Sequence, residues 1–123
     1  MRVRAVLAIA ALLPLGAAVP AVAAPAPDRG ILLTVSGGEN TWIRGLVLNC
    51  PPGPEGRHPD AAGACAALDE ADGDFDALAG DPHPCTYAYD PVTVTARGGA
   101  VDWKHTFRNA CVLDAATGPV FRF

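Results

Sequence analysis

The clearest hydrophobic signature in the chain is a period-two alternation. Val92, Val94 and Ala96 alternate with Thr93, Thr95 and Arg97; beyond Gly98-Gly99, Val101, Trp103, His105 and Phe107 share one parity against Asp102, Lys104, Thr106 and Arg108. Side chains of one parity share one face of a strand, so this pattern predicts two antiparallel strands turning at Arg97-Gly98-Gly99-Ala100. His105 then lies on the apolar face as a core or edge histidine. A second hairpin is predicted upstream, where residues 31–36 run into Gly37-Gly38-Glu39-Asn40 and the apolar pattern resumes at Trp42, Ile43, Leu46, Val47 and Leu48. Leu46, Val47 and Leu48 are apolar without alternation, so this strand is expected to be central and covered on both sides. Pro119-Val120-Phe121-Arg122-Phe123 reads as a fifth, terminal strand whose aromatics anchor the end of the chain.

Two helical segments are predicted between the hairpins. Residues 61–71 are alanine-rich, with Ala64, Cys65 and Leu68 on one apolar face, and Asp72-Gly73 ends them. Residues 74–79 give a second short helix, with Asp74 as N-cap and Gly80 as the stop. Residues 50–59, Cys-Pro-Pro-Gly-Pro-Glu-Gly-Arg-His-Pro, hold too many prolines and glycines for regular structure and form a loop.

The first residues follow another logic. Arg2 and Arg4 precede an apolar run from Ala5 to Leu13, then Pro14, Gly16, Pro20 and Ala21-Val22-Ala23. That order predicts a signal peptide over residues 1–23, a mature domain over 24–123, and a secreted, extracellular protein. The apolar run is too short for a membrane anchor, which needs ~20 residues. Cleavage removes two of nine basic residues and none of thirteen acidic ones, leaving a formal charge of −6. Nucleic acid and anionic membrane are therefore excluded as partners, because both are held by clustered Lys and Arg.

Cys50, Cys65, Cys85 and Cys111 all lie in the mature part. An even count in a small exported chain implies two disulfides, and three connectivities are open. Pairing Cys50 with Cys65 and Cys85 with Cys111 closes the two shortest loops. No Cys-x-x-Cys spacing occurs and His58, His83 and His105 are scattered, so no metal or other cofactor is expected. Asp69, Glu70, Asp72, Asp74 and Asp76 fail the calcium-loop template, since aligning Gly73 with its glycine puts Leu68 and Ala79 at ligand positions. They read as a solvated surface.

Candidate chemistry narrows to His83-Pro84-Cys85-Thr86-Tyr87-Ala88-Tyr89-Asp90-Pro91. Here the only two tyrosines of the chain stand one residue apart within a proline frame. Each proline biases the residue before it toward extended geometry, and a disulfide at Cys85 tethers the segment. It reads as an exposed extended loop; the competing arrangement is an edge strand with both tyrosines packed on the core. An enzyme is the weaker class. The only serine, Ser36, lies in Val-Ser-Gly-Gly rather than a nucleophile elbow, and all four thiols are expected to be paired.

The run Cys50-Pro51-Pro52-Gly53-Pro54-Glu55-Gly56-Arg57-His58-Pro59, continuing through Ala64-Cys65-Ala66-Ala67-Leu68, resembles the signature of the Streptomyces subtilisin inhibitor family. The similarity extends through Cys85 to Pro91, through Phe107-Arg108-Asn109-Ala110-Cys111, and to Val120-Phe121-Arg122-Phe123. It implies an α+β fold, a five-stranded antiparallel sheet with two short helices on one face and the sequential disulfides. It also implies a homodimer that inhibits serine proteases of the subtilisin type. Carried onto this chain, the reactive-site loop is Cys85, Thr86, Tyr87, Ala88, Tyr89 and Asp90, with the reactive bond between Tyr87 and Ala88. Asn109 braces the loop from behind. An aromatic residue at 87 suits the roomy pockets of subtilisin-like and chymotrypsin-like enzymes and lacks the cation that trypsin requires. Thr86 departs from the family, which commonly has proline there, and the hairpin after the loop is shorter. The alternative function is a secreted, disulfide-stapled binding module without antiprotease activity.

Overall fold

The computed structural model describes residues 16–18, 30–54 and 56–123. Most of the predicted signal peptide, and Glu55, lie outside the described residues. Among those described, four strands form one antiparallel sheet: β1 (Ile31–Gly37), β2 (Trp42–Leu48), β3 (Val92–Gly98) and β4 (Val101–Phe107), in the order β2-β1-β3-β4. Both predicted hairpins are present. The first turns through Gly38, Glu39 and Asn40, all at positive φ, with the Thr41 N–H donating to Gly37 O. The second pairs Val92 with Phe107 at one end and Gly98 with Val101 at the other.

Register decides which face is buried. Leu33 and Val35 of β1 lie beside Ala96 and Val94 of β3, and all four are buried. Leu46 stands opposite Leu33 on β2. Helix α1 (Ala61–Glu70) covers this face with Ala64 and Leu68, and Phe75, Leu113, Val120 and Phe121 complete the core. Asp60 caps α1, its side chain accepting from the Gly63 N–H, and Asp72 and Gly73 at positive φ end it.

The opposite face of the sheet has no covering element among the described residues. Leu32, Ile43 and Val47 stand there 44%, 70% and 45% exposed. The prediction that the second strand is central is thereby corrected: β2 is an edge strand, and β1 takes the central place. Its apolar run is continuous because Leu46 and Leu48 face the core while Val47 faces outward.

The strand count is also corrected, from five to four. Residues predicted as the terminal strand instead follow a second helix, α2 (Ala110–Thr117), as the 3₁₀ turn Gly118–Phe121. Gly118 at φ 58° ends α2, and Pro119 suits the opening of a new turn because it has no N–H to satisfy. Val120 and Phe121 are buried, so the aromatic end anchors the chain as a turn rather than as a strand. The second helix predicted at 74–79 is only the 3₁₀ turn Phe75–Ala77, capped by Asp74 as expected. The loop at 50–59 is fastened by His58. Its Nδ1 accepts from the Asp60 N–H, so Nε2 carries the proton and donates to Val120 O at 2.9 Å.

Candidate functional site

The loop between the 3₁₀ turn at Phe75 and strand β3 has no regular structure over residues 81–91, yet its backbone is fastened at successive points. It leaves the core at Gly80, where a β-carbon would stand 2.3 Å from Ala115 O of α2; only glycine fits that approach. The Asp81 N–H then donates to Ala115 O at 3.0 Å. Cys85 is bonded to Cys111 in the first turn of α2, and Cys50 to Cys65, the pairing expected from loop length.

Beyond the disulfide, two adjacent residues hold three successive carbonyls. The Asn109 amide Nδ2 donates to Thr86 O at 3.1 Å and to Ala88 O at 2.8 Å. Arg108 Nε donates to Tyr87 O at 3.0 Å. At the far end the Asp90 N–H donates to Arg108 O at 3.0 Å, just before Pro91 leads into β3. Asn109 itself is buried, and its Oδ1 accepts from the Val112 N–H at 2.9 Å as the N-cap of α2. One amide thus fixes both the helix end and the loop above it.

With its carbonyls held, the loop turns its large side chains outward. Tyr87 is 88% exposed and Tyr89 75% exposed, so the arrangement with both tyrosines packed on the core is excluded. The Arg108 guanidinium carbon lies 5.6 Å from the centre of the Tyr89 ring, a cation–π contact. Thr86, Ala88 and Asp90 are also exposed.

A charged cluster braces the approach to the loop. His83 Nε2 lies 2.9 Å from Asp114 Oδ2, and Arg122 bonds Asp114 while reaching Asp81 Oδ2 at 3.3 Å. The hydrogen bond to Asp114, followed by that to Pro84 O, raises the His83 pKa. Arg122, ahead of His83, holds the Asp114 carboxyl below its usual range. His83 Nδ1 stands 3.7 Å from both Cys85 and Cys111 Sγ, but those sulfurs are bonded to each other and are not thiolate ligands.

Other residues weighed from the sequence fall elsewhere. His105 stands on edge strand β4, exposed and packed between Trp103 and Phe107. In the acidic group, Asp74 caps a turn and Asp76 accepts from Trp103 Nε1 at 2.9 Å. Ser36 Oγ donates to Thr93 O across the sheet. Sequence reasoning missed Arg108, whose only signal was its place beside Asn109 at the end of β4. It also missed Asp114 and Arg122, because α2 was not predicted.

A loop of this kind presents a braced length of backbone and two outward tyrosine rings to a partner that binds peptide. Comparison with known proteins agrees with that chemistry. A family model described as subtilisin inhibitor-like matches residues 28–109, taking in the loop and Asn109. A subtilase-type protease inhibitor of Streptomyces fradiae is 43% identical over 103 residues, covering 76% of this chain and 72% of its own. Subtilisin inhibitor-like protein 5 of the same organism is 43% identical over 104 residues, covering 77% and 97%. Among solved structures, Streptomyces caespitosus sermetstatin in complex with Bacillus licheniformis subtilisin is similar, with a TM-score of 0.55 and 34% identity over 76% of this chain and 97% of that one. With its outward tyrosines, stapled loop and paired cysteines, the chain belongs to the subtilisin inhibitor-like family, a family of protease inhibitors rather than of enzymes.

Proposed function

We propose that the protein is a secreted, substrate-like inhibitor of subtilisin-like and chymotrypsin-like serine proteases, with Tyr87–Ala88 as its reactive bond. The observation that carries the reading is Tyr87 itself, 88% exposed on a backbone whose carbonyls at 86, 87 and 88 are each held from behind or beside. A serine protease binds its substrate as an extended strand, and a loop already fixed in that shape loses little freedom on binding. The relatives named as protease inhibitors, and sermetstatin bound to subtilisin, support the target class.

Tyr87 enters the primary specificity pocket. The protease serine attacks the Tyr87 carbonyl carbon, and the Ala88 amine is the leaving group. In an ordinary substrate that amine diffuses away and water hydrolyses the acyl-enzyme. Here the Cys85–Cys111 bridge and the Asn109 bond to Ala88 O keep both sides of the bond in place. The amine therefore stays beside the acyl carbon, excludes water and re-forms the peptide. Contacts of the usual size for such complexes, ~1,600 Å² in total, then give tight binding because so little is ordered on association.

The mature domain spans residues 24–123 after removal of a signal peptide. It works as a homodimer whose interface is the uncovered sheet face bearing Leu32, Ile43 and Val47, since three large apolar side chains on one open face are suited to burial against a second copy. Titrating a fixed amount of subtilisin with the purified protein tests the inhibitor reading. Near-stoichiometric loss of activity is expected. Full residual activity with rapid cutting of the chain at Tyr87 would leave a binding module that keeps only the scaffold.

A further inference from the structure

Among the contacts that brace the loop, the one from Arg108 differs in the atom it touches. Its Nε donates to Tyr87 O at 3.0 Å, which is the carbonyl of the proposed scissile bond. A serine protease stabilises the reacting carbonyl with donors of its own oxyanion hole, placed at ~2.7–3.1 Å from that oxygen. A carbonyl oxygen has two lone pairs. The two donors of the oxyanion hole fill them, so the Arg108 bond has no place in the complex.

We infer that Arg108 is a guard on the scissile carbonyl, bound to it in the free inhibitor and released when the protease docks. The inference rests on Tyr87–Ala88 being the reactive bond. Asn109 differs from Arg108 in this respect: it holds the flanking carbonyls of Thr86 and Ala88, which the oxyanion hole does not engage, so docking does not require those bonds to break. The released guanidinium has a resting place, because its carbon already stands 5.6 Å from the Tyr89 ring centre. Arg108 is exposed, so its movement displaces no core residue. It is a positioning residue, acting on the bond through the carbonyl oxygen.

The same contact bears on the cleaved inhibitor. Hydrolysis adds one water across the bond, leaving a carboxylate on Tyr87 and an ammonium group on Ala88. The guanidinium beside Tyr87 O then pairs with a full negative charge, which favours the cleaved form at equilibrium. A residue that merely stiffened the loop would do the opposite, favouring the intact form. The two roles therefore predict opposite signs.

The test compares the full mature chain with Arg108→Ala and Arg108→Gln, the second keeping a side chain of polar bulk without the charge. Stopped-flow association with subtilisin and the equilibrium fraction cleaved at Tyr87–Ala88 are measured for each. Both variants should associate about threefold to tenfold faster, the range for losing one exposed intramolecular hydrogen bond, and both should show a smaller cleaved fraction. An association rate equal to or below that of the unaltered chain, or a cleaved fraction that does not fall, overturns the guard. If the unaltered chain inhibits but is cut at another bond, the assignment of the reactive bond fails and the guard with it. If it is cut at Tyr87–Ala88 and only the variants disappoint, the guard fails alone.

Discussion

Asn109 serves two elements with opposite ends of one amide, and an aspartate in its place separates them. The carboxylate keeps an oxygen for the Val112 N–H, and Asp ranks with Asn as an N-cap, so α2 retains its start. The donor side is lost: Thr86 O at 3.1 Å and Ala88 O at 2.8 Å would face a carboxylate oxygen instead of an N–H. Two hydrogen bonds at about 1 kcal/mol each give about 2 kcal/mol, a factor of roughly 30 in an equilibrium or rate that depends on loop order. Asn109 is buried, so the new carboxylate also loses hydration and faces two carbonyl oxygens, which makes about 2 kcal/mol the lower bound of the effect. The assay follows hydrolysis at Tyr87–Ala88 by catalytic amounts of subtilisin, using mass spectrometry, together with the inhibition constant and the thermal midpoint. Asn109→Asp should be cut and released at least about 30-fold faster. Asn109→Ala, which loses the cap as well, worth about 1 kcal/mol, should also lower the thermal midpoint. An Asn109→Asp variant that resists cutting as well as the parent would refute the bracing role.

Three further outcomes are expected. Tyr87→Lys should move the inhibitor toward trypsin and away from subtilisin, because the trypsin pocket requires a cation; inhibition constants against both enzymes check it, and an unchanged profile removes Tyr87 from the pocket. His83→Gln should lower the thermal midpoint most below about pH 6.5, and progressively less as pH rises through the raised His83 value. His83 is raised from 6.5 by Asp114, so its contribution is complete below the ordinary histidine value and is lost as pH rises through the raised one. Asp114 is lowered by Arg122, so its part survives until pH falls through that lowered value, and a pH series of thermal melts reads both limits. Ile43→Glu places a charge on the open sheet face, where Ile43 is 70% exposed, and should turn a dimer into a monomer by sedimentation equilibrium with secondary structure unchanged.

What the sequence made legible follows from how locally each signal acts. Both hairpins could be read, because the alternation at Val92–Gly98 and Val101–Phe107 and the glycine turns are effects of neighbouring residues. The end of α1 was equally local, set by Asp72-Gly73, while its cap at Asp60 came only with the fold. Helix α2 was not legible. Its eight residues hold no long apolar period, and it is fixed by Asn109 at one end, Gly118 at the other and a disulfide at Cys111. The tail at Pro119 to Phe123 alternates like a strand but lies beyond Gly118, where the backbone reverses and buries Val120 and Phe121 as a turn. For the loop, the proline frame and the paired tyrosines pointed to exposure, and the family resemblance pointed to Asn109. Arg108 was invisible, because its bond to Tyr87 O joins residues 21 apart through the fold.

The central claim is that Tyr87–Ala88 is gripped by the protease but not consumed. It is tested most directly by incubating a stoichiometric mixture of the protein and subtilisin and following intact mass and free protease activity over hours. The account predicts a chain that stays largely intact, any cut confined to Tyr87–Ala88, and activity that stays suppressed. Steady accumulation of fragments ending at Tyr87 and beginning at Ala88, with activity returning in step, would contradict it.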